Sequence, residues 1–396
     1  MIKKYKIDWP KRAHFFNEKE IKLVSSILRD QNSALTFGPY VAKFENDFAK
    51  FVKVKRAFST MSCAHSLDIA AMVLDIKKGD EVILPSHTYC ATALAFSRRG
   101  AILKWADIEL DSFCISLRNI EKLVTKKTKA IIVVHLYGLI CPDIKKISSY
   151  AKKNKIYLIE DCAQSFGSYL NKKSCGTFGD IGCFSFQSQK NLTTLGEGGM
   201  IIAKSNSLLN KIKNLRFNGH REFKNQTKYW LPATIDVNMD IKNVHPIKST
   251  MTEIQGAVGS LLLKKFKKIL QKRRNLFFYI RHSLSDIKEL KFQTVKNLNT
   301  TSAHLLPAVY LNKKNNRDSL IDILSTKFKI KSVTQYYPLH KYKFFIKLGF
   351  GNIKLKNTEF FYKNMISFPF NINLTKKQIN YQIKSIRSSI KELSKK

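Results

Sequence analysis

Hydrophobic residues recur at helical spacing in two segments near the beginning of the chain. Residues 17–30 carry apolar side chains every three to four positions after Asn17, a residue type that often caps helices. A Gly-Pro turn at 38–39 leads into a second amphipathic segment at about 40–51. The pattern therefore predicts two amphipathic helices before the first strand.

Further along the chain, short apolar runs alternate with amphipathic or polar segments. The run at 130–138 is almost entirely apolar, and a Lys-rich helix is predicted after it at about 143–154. Continuous apolar strands separated by helices are typical of an α/β protein with a mostly parallel sheet covered on both faces. The predicted strands are 81–86, 101–108, 130–138, 156–161, 180–186 and 198–204.

The pattern changes after about residue 240. A long helix with Lys and Arg on its solvent side is predicted from Thr252 to about Ser285. We therefore predict a large domain over residues 1–240 and a smaller C-terminal α+β domain over residues 241–396. The smaller domain is expected to contain strands at 305–311 and 330–336, a helix at about 316–328 and a final helix from about Thr375.

The charge balance is strongly basic. The 396 residues include 70 Lys and Arg but only 29 Asp and Glu, which gives a formal net charge of +41. Such an excess fits either nucleic-acid or anionic-membrane binding, or solvated helix faces rich in lysine. Basic residues are spread along the chain, and clusters such as 264–268 lie within helical patterns. We therefore expect no nucleic-acid partner, although a positive field would attract a diphosphate substrate.

The cysteines and the apolar segments indicate the cellular setting. The cysteine count is seven, which is odd, and no CxxC pair occurs, so we expect neither a disulfide framework nor a metal site. The first residues lack the apolar core of a signal peptide, and no apolar stretch is long enough to span a membrane. These features predict a cytoplasmic protein without membrane insertion.

Polar residues at the ends of two predicted strands are candidates for catalysis, because ligands of open α/β sheets bind outside the carboxyl ends of the strands. Asp161 ends the run 156–161, where a carboxylate could pair with a protonated pyridine nitrogen or cap a helix. Lys190 follows the run 180–186 and precedes GEGG at 196–199. It is either an ordinary loop lysine or an amine whose lowered pKa allows it to form a Schiff base.

A third candidate is the small-residue turn at Ser62, Cys63 and Ala64, which leads into a predicted helix. Free backbone N–H groups at a helix N-terminus can bind phosphate. Many helices begin with serine, so this turn gains its meaning only together with the other two candidates.

The order of these motifs resembles the DegT/DnrJ/EryC1/StrS family of sugar aminotransferases. The resemblance extends from 36–45 to 365–370, which is nearly the whole chain. It implies a pyridoxal-phosphate enzyme of fold type I, with the architecture of aspartate aminotransferase. The motifs are the small-residue turn, an aromatic residue after PSHT at 85–88, EDCAQ at 160–164, SFQSQK at 185–190, GEGG at 196–199 and YYPLH at 336–340.

The resemblance implies a role for each residue that would surround the cofactor ring. Lys190 would hold pyridoxal phosphate as a Schiff base and move protons during the reaction, and Asp161 would pair with the ring nitrogen. Gln164 would lie near the phenolic oxygen. Tyr89 would stack on the ring face, unless it is an ordinary core tyrosine.

The phosphate side departs from the family pattern in two places. The resemblance assigns the phosphate to Ser185 and the turn at 62–64, but Cys63 and Ala64 stand where the family usually has Gly-Thr or Gly-Ser. One hydroxyl contact is therefore expected to be missing. Lys248 stands where the family has an Asn that reaches the phosphate of the neighbouring subunit. The resemblance thus implies a homodimer with shared active sites, in which Lys248 either takes over this contact or does not make it.

The function implied is transfer of an amino group from glutamate or glutamine to a keto sugar on a nucleotide diphosphate, for amino-sugar and surface-polysaccharide biosynthesis. One alternative is a regulatory protein that binds the cofactor without turnover. Another is a sugar dehydratase, a relative that has His in place of the Schiff-base lysine. The presence of Lys190 together with Asp161 favours the aminotransferase over both.

Overall fold

The computed structural model describes residues 5–222, 228, 230, 234–237, 241, 244–312 and 316–395. Within these residues the helices are α1 (Glu18–Arg29), α2 (Pro39–Val52), α3 (Cys63–Val73), α4 (Ala91–Ser97), α5 (Leu117–Glu121), α6 (Ile144–Lys153), α7 (Asn206–Leu215), α8 (Glu253–His282), α9 (Arg317–Thr326), α10 (Lys343–Lys347), α11 (Lys356–Asn364) and α12 (Lys376–Lys395). The strands are β1 (Ala57–Thr60), β2 (Glu81–Pro85), β3 (Ile102–Ala106), β4 (Thr128–Val134), β5 (Tyr157–Asp161), β6 (Tyr169–Leu170), β7 (Lys173–Ser174), β8 (Ile181–Ser185), β9 (Gly199–Ala203), β10 (His220–Glu222), β11 (Thr234–Val237), β12 (Leu290–Phe292), β13 (Leu306–Tyr310) and β14 (Met365–Phe368).

A seven-stranded sheet in the order β1-β9-β8-β5-β4-β2-β3 forms the centre of the larger part of the molecule. Strands β3, β2, β4, β5 and β8 are parallel, whereas β9 runs antiparallel to both β8 and β1. The prediction of a mostly parallel sheet with covering helices is confirmed, as are the six strands predicted for it. Strand β1 was not predicted, because its sequence AFST is short and half polar, although all four residues are buried.

The predicted amphipathic helices form with the caps that their sequences indicate. The Asn17 side chain caps α1, and Glu20 completes the capping box. Pro39 occupies the first turn of α2, where its missing N–H costs no helical hydrogen bond. In the described part of the chain, no helix is long and apolar enough to cross a membrane.

Strands β12, β13 and β14 form a separate antiparallel sheet, and this smaller α+β unit confirms the predicted fold class. The predicted strand at 330–336 is wrong. Its residues form only isolated bridges, Ile330 with Ile7 and Val333 with Ser367. Because the two partners belong to different segments, no continuous ladder can form along this stretch.

Helix α8 contributes to two of the three hydrophobic clusters found among the described residues. Its first half packs into the core of the large sheet through Val258 and Phe266, and its second half packs into the core of the small sheet through Phe277 and Ile280. Ile7 also belongs to the small core. The predicted domain boundary between 240 and 241 stays a prediction, and residue 240 lies outside the described residues.

Candidate active site

The carboxyl ends of β2, β5 and β8 surround a cavity of about 410 Å³. This is the edge of a parallel sheet at which ligands of such folds bind. Eight of the nine residues predicted for the site line this cavity, so the fold brings together segments that are more than a hundred residues apart. They are Ser62, Cys63, Ala64, Tyr89, Asp161, Gln164, Ser185 and Lys190.

Asp161 ends β5 with its carboxylate buried in the cavity wall. Oδ2 accepts a hydrogen bond from the Thr92 hydroxyl at 2.8 Å, and Oδ1 accepts one from the Ala163 N–H at 3.0 Å. The Cys63 thiol approaches Oδ1 at 3.9 Å, a contact typical of a weak sulfur donor. The carboxylate is thus fixed in one orientation and still faces the cavity.

Lys190 lies in the turn that follows β8, and its backbone N–H donates to Gln187 O at 2.8 Å. Burial lowers the pKa of the Lys190 amine, while the negative charges of Asp161 and Glu197 oppose that shift. Its Nζ has no hydrogen-bond partner among the described residues. A larger fraction of this amine is therefore unprotonated and nucleophilic than in an exposed lysine.

The turn at 62–64 forms the open N-terminus of α3. Ser62 caps this helix, and its hydroxyl accepts from the His65 N–H at 3.3 Å. The N–H groups of Cys63 and Ala64 belong to the first helical turn, where no intrahelical acceptor exists. Gly199 packs against this turn so closely that a Cβ there would lie 2.4 Å from the Ser62 carbonyl carbon. The turn and the GEGG segment therefore pack against each other backbone to backbone.

Ser185 and Cys63 also line the cavity. Ser185 is the last residue of β8, and its hydroxyl is 3.4 Å from the Gln187 N–H. Cys63 is buried, and burial raises the pKa of its thiol well above the ordinary value. The Cys63 side chain is therefore a neutral thiol in the cavity wall.

Gln164 and Tyr89 line the cavity beside Tyr336. Gln164 accepts from the Tyr137 N–H at 2.8 Å and donates to the Tyr336 hydroxyl at 3.0 Å. The Tyr89 ring is 60% exposed and lies edge-on to Tyr336, with ring centroids 6.3 Å apart. This exposure rules out an ordinary core tyrosine at position 89 and leaves a ring available to a ligand.

Several lining residues were not predicted from the sequence. Thr92 follows Tyr89 by three positions, so a search for hydroxyl groups near the aromatic motif could have found it. Tyr336 lies in the YYPLH motif, which supported the resemblance but received no role. The lining residues that the sequence analysis missed are Leu67, Thr88, Ala91, Thr92, Val134, Ala163, Gln187, Gln189, Glu197, Gln335 and Tyr336.

Lys248 is the one predicted site residue that does not line the cavity. It is exposed, and its Nζ lies 5.8 Å from the centre of the Phe37 ring. Its backbone pairs with Phe217 in an isolated antiparallel bridge. Lys248 therefore does not contribute to the cavity of its own chain.

A second carboxylate, Glu160, lies beside Asp161 but points to the other face of β5. His135 Nε2 and Glu160 Oε2 are 2.8 Å apart, and both lie close enough to Cys162 for a metal ion to bind all three. However, Glu160 also accepts three backbone N–H bonds at 2.6–2.8 Å, and His135 Nδ1 accepts one from Cys141 at 3.0 Å. This group therefore has its hydrogen bonds satisfied by the protein, and the absence of a metal stays a prediction.

The residues of the cavity fit pyridoxal phosphate. Asp161 offers a buried carboxylate to a pyridinium nitrogen, and Lys190 offers an amine without a hydrogen-bond partner in the described chain. The open first turn of α3 and the Ser185 hydroxyl offer donors to a phosphate. This fold and this site define a pyridoxal-phosphate enzyme of fold type I.

Comparisons with known proteins identify the family. The sequence profile of the DegT/DnrJ/EryC1/StrS aminotransferase family matches residues 15–387. The chain is 33% identical over 306 residues to GDP-perosamine synthase of Vibrio cholerae, covering 76% of this chain and 78% of the synthase. The chain belongs to the DegT/DnrJ/EryC1/StrS aminotransferase family and uses pyridoxal phosphate.

Solved structures agree on the fold. An aminotransferase from Psychrobacter cryohalolentis superposes with a TM-score of 0.87 at 24% identity, covering 98% of this chain and all of that one (100%). NtdA from Bacillus subtilis, solved with its bound cofactor PMP, superposes with a TM-score of 0.83 at 23% identity, covering 95% of this chain and 83% of that one. The aspartate-aminotransferase-like fold expected from the resemblance is thereby confirmed.

Proposed function

We propose that this aminotransferase transfers an amino group from glutamate or glutamine to a keto sugar on a nucleotide diphosphate, for the biosynthesis of amino sugars and surface polysaccharides. The observation that carries the proposal is that Lys190 and Asp161 face one cavity, in a chain whose relatives act on sugars. One relative is the GDP-perosamine synthase, and another is named as an aminotransferase of UDP-N-acetyl-3-dehydro-α-D-glucosamine.

The residues predicted for the cavity each have a part in this reaction. Pyridoxal phosphate supplies a carbonyl that binds amines and a ring that withdraws electrons. Asp161 holds a proton at the ring nitrogen, and the bonds from Thr92 and Ala163 keep its carboxylate in place. Lys190 accepts and returns protons at Nζ, since burial lowers its pKa toward the working range of a general base.

The remaining residues bind and orient. The first turn of α3 and Ser185 would hold the phosphate, and Gln164, whose orientation is fixed by Tyr137 and Tyr336, would bind near the phenolic oxygen. Tyr89, whose ring is exposed, would stack on the ring face. The excess positive charge of the chain attracts the nucleotide diphosphate.

The decisive experiment incubates the purified protein with pyridoxal phosphate, glutamate or glutamine, and a panel of nucleotide keto sugars. Mass spectrometry should detect an amino-sugar product with the wild type and none with Lys190→Ala. Conversion of the amino donor to its keto acid reports the first half of the reaction separately. Donor turnover without amination of any sugar in a broad panel would contradict the proposed substrate class.

Assembly as a homodimer is part of the proposal. Leu35, Phe37, Met61 and Leu195 are exposed apolar side chains, and Met61 and Leu195 lie within two residues of Ser62 and Glu197 in the cavity lining; we call these four the mouth patch. Segment 248–255 forms hydrogen bonds to the chain around these residues. The Ser249 hydroxyl accepts from the Met61 N–H, the Glu253 N–H donates to Leu35 O, and the Gln255 side-chain amide donates to Glu197 O. An apolar patch beside an active site marks a protein interface, and a second copy fits best because Lys248 would then face its neighbour's cavity.

The cytoplasm as the compartment also belongs to the proposal. All seven cysteines are free thiols, and six of them are buried. Free thiols suit a reducing compartment.

A further inference from the structure

A second concave surface lies at the opposite edge of the large sheet. Two adjoining cavities of about 370 Å³ and 860 Å³ meet at the hairpin of β6 and β7. Gly179 and Lys204, which flank the beginning of β8 and the end of β9, line the smaller one, so the surface lies away from the carboxyl ends of the parallel strands. We call the two cavities together the hairpin groove. They share Lys53, Tyr169, Asn171 and Lys172, and no residue with the active-site cavity.

The hairpin groove is lined by cations without counterions. No Asp or Glu is among its lining residues. Within the described chain none of its basic residues forms an ion pair, whereas Lys43, Lys265 and Lys327 on other surfaces do. The basic lining residues are Lys50, Lys53, Lys55, Lys172, Lys173, Lys204, Lys267, Arg274 and Lys296.

Lys173 is repelled by Lys204, another lysine that lines the groove. Burial lowers the pKa of Lys173, and the charges of Lys204 and Lys145 lower it further against the opposing charge of Glu160. A bound anion would relieve this repulsion, because it stabilises the charged form of every lysine around it. The groove also offers amide groups that can donate to an anion, at Asn171, Asn297 and Asn299.

The residues that line the groove favour one class of polyanion over the others. Insertion into a lipid surface needs exposed apolar side chains, and none of the large exposed apolar residues of the described chain lines the groove. Single-stranded nucleic acid would need stacking platforms, but Tyr169 is half-buried with its ring 6.4 Å from that of Phe51. The groove is therefore suited to an anion that is recognised by charge and hydrogen bonds alone. Eight of the nine cations are lysines, whose ammonium groups bind phosphate as point charges.

We propose that the hairpin groove binds a linear polyphosphate anion. The groove passes along two cavities, and its cations come from α2, the hairpin, the end of β9, α8 and the segment before Asn297. A chain of closely spaced phosphates can contact several of these groups at once, whereas a single phosphate can contact few. Affinity should therefore rise with the length of the phosphate chain.

The test uses the full-length protein, a fluorescent polyphosphate of defined length and a titration of salt. In the triple variant Lys50→Gln, Lys204→Gln, Lys296→Gln, we expect at least a ~10-fold loss of affinity and a salt slope that falls by about 2–3. The matched control Lys343→Gln, Lys347→Gln, Lys384→Gln removes the same charge from exposed positions outside the groove. It should change the affinity by less than about 2-fold. Circular dichroism checks that both variants remain folded.

Three competitors complete the design: inorganic phosphate, single-stranded RNA of matched charge, and vesicles containing anionic lipid. The proposal holds if polyphosphate binds more tightly than all three and only the groove variant weakens it. Equal losses in both triple variants would mean that net charge alone binds the polyanion. Tighter binding of RNA or vesicles, or polyphosphate binding no better than phosphate, would also overturn the assignment.

Discussion

Among the described residues, the buried carboxylate of Asp161 accepts only two strong hydrogen bonds, from Thr92 and Ala163. An ionised carboxylate has room for about four acceptor contacts, so this one keeps capacity for a pyridinium N–H. The neighbouring thiol of Cys63 is too weak a donor to satisfy that capacity. Position and unsatisfied acceptor capacity together explain why this carboxylate is suited to the cofactor.

Asp161→Asn is therefore expected to preserve the fold but to lower turnover on the order of 10²-fold or more, the scale of losing one preorganised charge contact. The amide oxygen can still accept from Thr92, but a neutral side chain no longer holds a proton on the ring nitrogen. Steady-state kinetics measures the loss of turnover, and thermal unfolding checks that the fold is preserved. Turnover near the wild-type level would exclude the role given to Asp161.

Lys190 gives a pH dependence that can be measured on the apo-protein. Because burial lowers its pKa, the amine is unprotonated at a lower pH than the ordinary value of 10.5. Covalent capture of pyridoxal phosphate, scored after borohydride reduction, should increase with pH and reach its midpoint below 10.5. In Asp161→Asn the midpoint should fall further, because one of the charges that raises the pKa is lost.

Two outcomes would contradict this account of Lys190. A midpoint at or above 10.5 would mean that its amine is not desolvated. Capture that persists in Lys190→Ala would place the reactive amine elsewhere, and Lys173→Ala serves as the control for a lysine outside the cavity.

At the residue scale the sequence revealed the groups with distinctive chemistry but not those that hold them. Asp161 and Lys190 could be found because they follow apolar strands within a specific motif. Thr92 and Tyr336 could not, since a threonine in a helix and a tyrosine in a loop have many ordinary uses. Their roles depend on contacts between residues 69 and 172 positions apart, which a single sequence does not reveal.

At the scale of the element, the two faces of strand β5 have different roles: Glu160 on one face holds a loop in place, and Asp161 on the other faces the cavity. Side chains alternate along a strand, so the adjacent carboxylates of Glu160 and Asp161 point in opposite directions. Asp161 faces the cavity, while Glu160 receives His135 and the backbone N–H groups of the loop at 176–179. One strand thus fixes the loop before β8 and presents the carboxylate that the cofactor needs.

Glu160→Gln should lower the free energy of unfolding by about 1–3 kcal/mol, because an amide cannot accept from every donor that now meets the carboxylate. Urea unfolding followed by circular dichroism gives this value. The exposed Glu121→Gln should stay within about 0.5 kcal/mol of the wild type. An unchanged stability in Glu160→Gln would show that the loop at 176–179 does not depend on this network.

Secondary structure was predicted best where apolar runs are continuous and worst where strands are short. The buried central strands follow from their sequences, because burial on both faces leaves an uninterrupted apolar run. Strands β12 and β14 were missed, since three or four residues carry little periodicity. The segment 330–336 shows the opposite error, in which β-prone residues pair only at isolated bridges and not with a continuous neighbouring strand.

At the scale of the whole molecule, residues that are far apart in the sequence lie together in the fold. The basic residues appear dispersed along the chain, yet nine of them line the hairpin groove. The expectation that no nucleic acid binds rested on that dispersion and stays a prediction. Charge along a sequence therefore says little about charge on a surface unless the fold is known.

The position of Lys248 yields the last prediction, which concerns the assembled protein. Lys248 is exposed and lies outside its own cavity, beside Phe37 in the mouth patch. If it binds the phosphate of a neighbouring subunit, the protein in solution should have twice the mass of the chain. Sedimentation or light scattering measures this mass. A fully active monomer would exclude a shared site.

Mixing two inactive variants then tests the sharing itself. In a hybrid dimer of Lys190→Ala and Lys248→Ala, one site combines the intact Lys190 of one chain with the intact Lys248 of the other, while the second site lacks both. Random exchange of equal amounts makes half of the dimers hybrids, so about one quarter of the wild-type activity should return. If Lys248 served its own subunit, every site would lack one lysine. The mixture would then stay inactive although mass spectrometry detects hybrids.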